Sequence, residues 1–236
     1  NNVNICDELR REFRLPVFAE NDANVGALNE WQSDSSITDQ DTLVYLALST
    51  GTSCGIISHG ALLRGAQGLA GEIGHMTVNV NGPLCRCGRR GCLELYTSTA
   101  AMKRLAQIRC VHDTDTVLTP ACTRPDFFSA VLAGDKLAAS IFEEAMDYLS
   151  VGIMNMIYLY NPSVIVLGDE MIMRQAGKLI LDYQSKKLHA HIRPEILNRL
   201  TLRLSSLISD PAFVGAGSLV TSHISDILYD YHYLDT

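Results

Sequence analysis

Four potential metal ligands lie close together in the segment GEIGHMTVNVNGPLCRCGRRGCLELY, residues 71–96. His75, Cys85, Cys87 and Cys92 follow the pattern H-x9-C-x-C-x4-C. Thiolates and imidazoles are the ligands that a tetrahedral zinc ion prefers. Because protein groups fill all four positions, the pattern predicts a structural zinc and not a catalytic one. The alternative is a group of reduced cysteines in a surface loop.

Two carboxylates flank this cysteine pattern. Glu72 lies three residues before His75, and Glu94 lies two residues after Cys92. A metal that fixes the loop would fix both glutamates, and carboxylates held at fixed angles suit hydrogen bonding to sugar hydroxyls. The alternatives are a solvated charge for each and, for Glu94, a partner of a helix N-terminus.

Composition limits the classes of protein that can position these residues. The chain has 236 residues, of which 47% are hydrophobic and 19% charged, with a net charge of −7. An acidic domain binds nucleic acid poorly, because phosphate contacts need lysine and arginine. No apolar run is long enough to span a bilayer, and no signal-peptide pattern is present. With seven cysteines, an odd number, we expect a cytoplasmic protein with reduced thiols and no membrane contact.

Strand and helix patterns alternate along the chain. Such alternation predicts an α/β fold, and a hairpin turn at His59-Gly60 indicates that the sheet is mixed and not purely parallel. The predicted helices cover residues 5–13, 21–31, 100–110, 125–133, 137–160 and 212–229, and the predicted strands cover residues 16–20, 42–49, 53–63 (as a hairpin), 162–168 and 199–207.

The cysteine segment resembles the zinc signature of the ROK family, which groups bacterial sugar-responsive repressors and sugar kinases. The segments ENDANVGALNE, LSTGTSCGII, GALLRGAQGLAGEIGH and NPSVIVLG fit the same family in the same order. The resemblance implies the actin-like, sugar-kinase-type (ribonuclease H-like) α/β fold of two lobes. By this resemblance, residues 1–25 are a remnant of the N-terminal lobe. Residues 26–236 form the C-terminal lobe with the sugar and zinc sites, and the helix at 212–229 returns to the N-terminal lobe.

The resemblance also assigns roles to individual residues. It places Asn21 and Asp22 in the sugar site, and in the family's kinases the aspartate at this place is the general base. Glu72 and Glu94 match residues that bind sugar hydroxyls. His75 matches a residue that both ligates zinc and faces the sugar. That dual role is chemically reasonable, because an imidazole that binds metal through one nitrogen keeps an N–H on the other.

Three departures from the family's kinase pattern argue against use of ATP. The N-terminal phosphate-binding segment, an aspartate followed by glycines and a threonine, has no counterpart here. STGTSCG replaces the kinase-like GTGxGGG, so that Thr50, Gly51 and Thr52 remain only as a weak phosphate turn. After the strand VIVLG, Asp169 and Glu170 stand where glycines are usual, and their charges repel phosphate.

We therefore expect the sugar-sensing effector domain of a ROK-type transcriptional regulator. A hexose or amino sugar would bind between the lobes of a homodimer or a dimer of dimers. DNA would be contacted only through an N-terminal helix-turn-helix that this sequence lacks. The alternative is a hexose or amino sugar kinase that uses ATP and magnesium, with Asp22 as its base. A third possible class of protein is a scaffold that binds no ligand, in which the cleft residues would have no binding role.

Overall fold

A computed structural model describes residues 3–169, 171, 176–206 and 211–223. Its centre is a five-stranded sheet with the strand order β3-β2-β1-β4-β5. β1 pairs with β2 in antiparallel fashion, as β2 does with β3, whereas the β1–β4 and β4–β5 pairs are parallel. The predicted mixed α/β sheet is therefore confirmed. The strands are β1 (Thr42–Leu48), β2 (Thr52–Ser58), β3 (Ala61–Leu62), β4 (Val164–Gly168) and β5 (Thr201–Leu204).

Helices cover both faces of this sheet. Those of the described residues are α1 (Ile5–Phe13), α2 (Asp22–Ser33), α3 (Glu94–Thr97), α4 (Thr99–Arg109), α5 (Arg124–Leu132), α6 (Lys136–Tyr160), α7 (Gly177–His191), α8 (Pro194–Leu197) and α9 (Pro211–Ser222). The predicted helices match within a few residues, except that residues 224–229 of the last one lie outside the described part. None of the described helices has the length and apolarity needed to cross a membrane.

The strand predicted at residues 16–20 is not formed. No described strand pairs with this segment, and the carbonyl of Val17 instead accepts a hydrogen bond of 2.7 Å from Arg10 Nη2. A strand needs a neighbour to complete its ladder of backbone hydrogen bonds, so local β propensity alone does not make one.

The two faces of β1 point into two separate hydrophobic cores. Val44, Leu46 and Leu48 pack with residues of α6, and the alternate residues of the strand pack with α2. Because both faces are covered, the strand reads as a continuous apolar run, TLVYLAL, and not as an alternation. This arrangement holds α2 firmly on one face of the sheet.

Tyr45 fills a narrow gap between α2 and β4. Its side chain is buried, and it lies between two glycines. A Cβ added at Gly26 would lie 2.4 Å from Cε1 of the ring, and one added at Gly168 would lie 2.2 Å from the hydroxyl oxygen. Both positions therefore need glycine, because no side chain fits beside the ring.

A buried charge network ties the far end of α2 to β5. Glu30 is 1% exposed, and its carboxylate accepts from Arg203 Nη1 at 2.7 Å and from the Ser205 hydroxyl at 2.5 Å. The same guanidinium reaches Asp34 at 3.2 Å. A buried carboxylate needs such partners, because its desolvation is otherwise too costly.

Candidate functional site

The N-terminus of α2 presents the first two site residues. Asn21 is the N-cap, and its side chain accepts a hydrogen bond from the backbone N–H of Ala23 at 2.9 Å. Asp22 begins the helix, and its carboxylate accepts from the same N–H at 2.8 Å. A carboxylate is favourable at this end of a helix, where the backbone N–H groups are unpaired. Both side chains are exposed, so they are available to a ligand.

Glu20 is a site residue that the sequence interpretation missed. Its carboxylate accepts from Asn24 Nδ2 at 2.9 Å, from Arg64 Nε at 2.7 Å and from the backbone N–H of Asn21 at 3.0 Å. Burial alone would raise the pKa of Glu20, but these hydrogen bonds outweigh it and lower the pKa. Glu20 thus joins α2 to the start of the glycine-rich loop at residues 64–75. The only signal in the sequence was its place directly before Asn21.

Strand β2 brings two separate segments together. A Cβ at Gly55 would lie 2.3 Å from the carbonyl oxygen of Ala23, so the start of α2 packs directly on the strand. The loop that carries Glu72 is hydrogen-bonded to β2, with the N–H of Cys54 donating to the carbonyl of Gly71 at 2.8 Å. These contacts place α2 and the loop against the same strand.

The same loop also approaches Glu94. A Cβ at Gly74 would lie 2.1 Å from the carbonyl oxygen of Thr52 and 3.3 Å from Cβ of Glu94. The predicted carboxylates therefore come from segments that all pack on or beside β2.

The structure gathers the four predicted metal ligands. The ligand atoms of His75, Cys85, Cys87 and Cys92 all lie within 4.8 Å of one another. Cys85 Sγ is 3.6 Å from His75 Nδ1, and Cys87 Sγ is 3.5 Å from Cys92 Sγ. Ligand distances of about 2.0–2.3 Å give edges of roughly 3.3–3.8 Å in a zinc tetrahedron. The donor set and these two separations thus fit a closed, four-coordinate site.

Tight turns bring the cysteines to these positions. Gly91 has φ +64°, and a Cβ there would lie 1.6 Å from the carbonyl oxygen of Asn79, so this position needs glycine. The backbone N–H of Arg89, followed by its side chain, lowers the pKa of the Cys87 thiol to about 6. Burial raises the pKa of Cys92 to about 12. Before a metal binds, Cys87 therefore deprotonates more readily than Cys92.

Glu94 lies between the segment that carries the four predicted metal ligands, residues 75–92 (the metal loop), and the turn that joins β1 to β2. Its side chain is 20% exposed, and Arg86 Nη2 is 3.9 Å from its Oε1 atom. On the other side, a Cβ at Gly51 would lie 3.0 Å from Oε2. Helix α4 fixes the turn between β1 and β2, because both the backbone N–H and the hydroxyl of Thr99 donate to the carbonyl of Ser49.

The predicted phosphate turn is directed partly inward. Thr50 and Gly51 form the bend after β1, but the hydroxyl of Thr52 is buried and lies 2.9 Å from the Thr97 hydroxyl. At the end of β4, Asp169 has φ +75°, the left-handed conformation that favours glycine. Glu170 lies outside the described residues.

The fold and the Cys3His loop define an actin-like, sugar-kinase-type protein. The chain superimposes on a ROK family glucokinase from Streptomyces griseus, solved with glucose and AMPPNP, with a TM-score of 0.79 and 28% identity. That match covers 91% of this chain and 71% of the other. A ROK family transcriptional regulator, a homologue of the E. coli MLC protein, gives a TM-score of 0.78 at 26% identity, over 93% of this chain and 56% of the other.

The sequence comparisons agree. The ROK family model matches residues 1–223, so the chain belongs to the ROK family. It is 31% identical over 231 residues to a glucokinase from Thermotoga maritima, covering 95% of this chain and 72% of that protein. It is 28% identical over 226 residues to the xylose repressor of Bacillus subtilis, covering 96% of this chain and 56% of the repressor. The chain thus spans about half the length of the repressor that it matches, and its relatives include both kinases and repressors.

Proposed function

We propose that this chain is the sugar-sensing effector domain of a ROK-type transcriptional regulator. A hexose or amino sugar binds in the cleft beside α2 and the metal loop, and its binding controls a helix-turn-helix in an N-terminal part of the protein. In this proposal residues 1–25 belong to the N-terminal lobe, and residues 26–236 to the C-terminal lobe. The sugar is held by Asn21, Asp22, Glu72, His75 and Glu94.

The observation that carries this proposal is the geometry of the phosphate side. In sheets with parallel strands, ligands bind outside the carboxyl ends of the strands. Asp169 occupies that place at the end of β4, in a conformation that suits glycine. Its negative charge opposes a triphosphate, and the buried hydroxyl of Thr52 is already bonded to Thr97. The residues that the family resemblance assigns to the sugar, in contrast, show no such departure in the sequence.

Zinc is the metal that suits the four ligands. Three thiolates and one imidazole fill a tetrahedral shell, so the ion would rigidify the loop and leave no position for a reacting water. His75 turns Nδ1 toward Cys85, which leaves Nε2 as an N–H donor for a sugar hydroxyl. The loop would thereby hold Glu72 and Glu94 at fixed positions around the ring.

Sensing requires that the sugar binds one arrangement of the lobes better than the other. Glu20 offers a route for this coupling, because its carboxylate joins Arg64 in the loop to Asn24 in α2. A sugar held by Asp22 and Glu72 would favour the arrangement in which the rest of the N-terminal lobe closes over these two residues. In a homodimer, this shift would change the relative orientation of the two DNA-binding parts.

A sugar kinase is the second candidate, and one observation favours it. Asp22 is exposed at the N-terminus of α2, where a carboxylate can take the proton from an attacked sugar hydroxyl. A binding-only protein has no need of a base, although the same carboxylate can accept hydrogen bonds from the sugar. In this alternative, ATP and magnesium bind at the ends of β1 and β4.

One experiment separates the two candidates. The metal-loaded protein is mixed with ATP, magnesium and a panel of hexoses and amino sugars, and ADP release is followed alongside calorimetry of sugar binding. Saturable sugar binding without ADP release supports the sensor. Turnover that depends on a sugar, and that Asp22→Asn abolishes while sugar binding persists, overturns the sensor and establishes the kinase.

A further inference from the structure

Arg86 occupies a special position beside the sugar site. It lies between two of the metal ligands, Cys85 and Cys87, so a bound metal would fix its backbone. Its side chain is 80% exposed, and its nearest acidic atom is Oε1 of Glu94, 3.9 Å from Nη2. That distance is too long for a hydrogen bond. Within the described residues, the guanidinium therefore approaches a site carboxylate without bonding to it.

Two other arginines near the site are already engaged. Arg64 donates to Glu20 at 2.7 Å, and Arg90 donates to the carbonyl of Gly82 at 3.3 Å. Arg86 differs from both, because its five N–H donors have no hydrogen-bond acceptor among the described residues. A planar guanidinium of this kind is suited to bidentate binding of a phosphate or a carboxylate.

The energetics favour an exchange of partners. An ion pair with a separation of 3.9 Å and an exposed guanidinium contributes little to stability, so leaving Glu94 costs Arg86 little. A bidentate, charge-assisted pair with an anionic group gains more than this. Without Arg86, the carboxylates of Asp22, Glu72 and Glu94 would repel an anionic ligand. With it, the anion meets a compensating charge at the edge of the site that lies next to Glu94.

We propose that Arg86 is a specificity-determining residue of the sugar site, and that the preferred ligand is a sugar with an anionic substituent, a phosphate ester or a carboxylate. The inference rests on the sugar site of the proposed function and names the class of sugar that binds there. The anionic group would lie against Arg86, while the hydroxyls of the ring are bound by Glu72 and Glu94.

Calorimetry with matched variants tests this inference. The metal-loaded protein is titrated with glucose and N-acetylglucosamine, with their 1- and 6-phosphates, with glucuronate and with inorganic phosphate. We expect at least one anionic derivative to bind about tenfold or more tightly than its neutral parent. Arg86→Gln should remove this preference and leave the affinity for the parent sugar within about twofold.

Arg193→Gln is the matched control. Arg193 is 77% exposed and lies 3.5 Å from the carboxylate of Glu195, so the variant loses the same charge from a similar surface pair elsewhere in the fold. This control should keep the preference for the anionic sugar. Zinc content is measured for each protein. If Arg86→Gln disturbs it, Arg86→Lys, which keeps the charge and loses the bidentate geometry, should still reduce the preference about threefold or more.

The outcomes separate the two proposals. The role of Arg86 is overturned if parent and anionic sugars bind with equal affinity, or if the preference survives Arg86→Gln. Either result leaves the proposal of a sugar sensor unaffected. Inorganic phosphate that binds as tightly as a sugar phosphate also overturns it, because the sugar then contributes nothing. Failure of every sugar, neutral or anionic, to bind overturns the sugar site itself.

Discussion

Replacement of Gly26 by alanine should destabilise the protein, although alanine is the better helix former. The added Cβ would lie 2.4, 2.7 and 2.8 Å from three carbons of the Tyr45 ring. Carbon atoms pack at about 3.5 Å or more, so the ring or the helix must move by about 1 Å. The ring cannot retreat freely, because its hydroxyl is packed against Gly168. Helix α2 must therefore shift.

The magnitude follows from two opposing effects. Overpacking of a well-packed core costs about 1–3 kcal/mol, and an approach as close as 2.4 Å belongs to the upper part of that range, about 2–3 kcal/mol. Glycine to alanine in a helix gains about 1 kcal/mol. We expect a net loss of about 1–2 kcal/mol, which corresponds to a fall in Tm of roughly 2–8 °C for a chain of this size. Because Asp22 lies one helical turn before Gly26, sugar affinity should fall as well.

The assay combines urea unfolding with calorimetry of sugar binding. Gly217→Ala is the control, because Gly217 lies in α9 and, apart from its chain neighbours and the backbone of its own helix, no atom of the described residues lies within 4 Å of the added Cβ. This variant should be unchanged or slightly more stable. In a Tyr45→Leu background, Gly26→Ala should no longer lower the free energy of unfolding, because the ring that it contacts is absent. A Gly26→Ala protein as stable as the parent would refute the packing argument.

Three further predictions concern the site and the metal. Glu72→Ala should abolish sugar binding while zinc content stays whole, and retained affinity by calorimetry would remove Glu72 from the site. Cys87→Ser should lower the zinc content measured by atomic absorption, because it removes one of four ligands; full occupancy would contradict the ligand set. In the metal-stripped protein, alkylation of Cys87 should rise as pH increases through about 6, since the thiolate forms above its lowered pKa. Burial raises the pKa of Cys54 to about 12, so it should stay unreactive at pH 7, and equal rates for the two thiols would contradict this reasoning.

The sequence carried enough local signal to predict most of the fold. The N-cap at Asn21 and the hairpin at His59-Gly60 are set by residues next to each other in the chain. Helix α7 was missed, because its start has no capping side chain: Ala176 makes no side-chain bond to the helix. The prediction of a strand at 16–20 was wrong for the opposite reason. The local sequence does favour a strand, but no described strand pairs with the segment.

The candidate site also has a part that local sequence predicts and a part that it does not. The cluster of His75, Cys85, Cys87 and Cys92 was predictable, because its members lie within residues 75–92 and their spacing suits a metal site. The contacts of Glu20 and Gly51 were not predictable. Glu20 depends on Arg64, which is 44 residues away, and Gly51 depends on Glu94, which folds against it from another segment. Such contacts are decided by tertiary packing and leave no pattern in the local sequence.

The network between α2 and β5 has a consequence for the order of folding. Glu30 and Arg203 are 173 residues apart in the chain, and Asn29 and Ser218, which also bond to each other, are 189 apart. At about 5–20 residues per second, a ribosome needs roughly 10–40 s to add the second partner. Helix α2 can therefore pack early against β1 and β2, which follow it in the chain, but it gains these two hydrogen-bond partners last. The predicted metal ligands lie within one short stretch of chain, residues 75–92, whereas the network that fastens α2 to β5 forms only after Arg203 has been added.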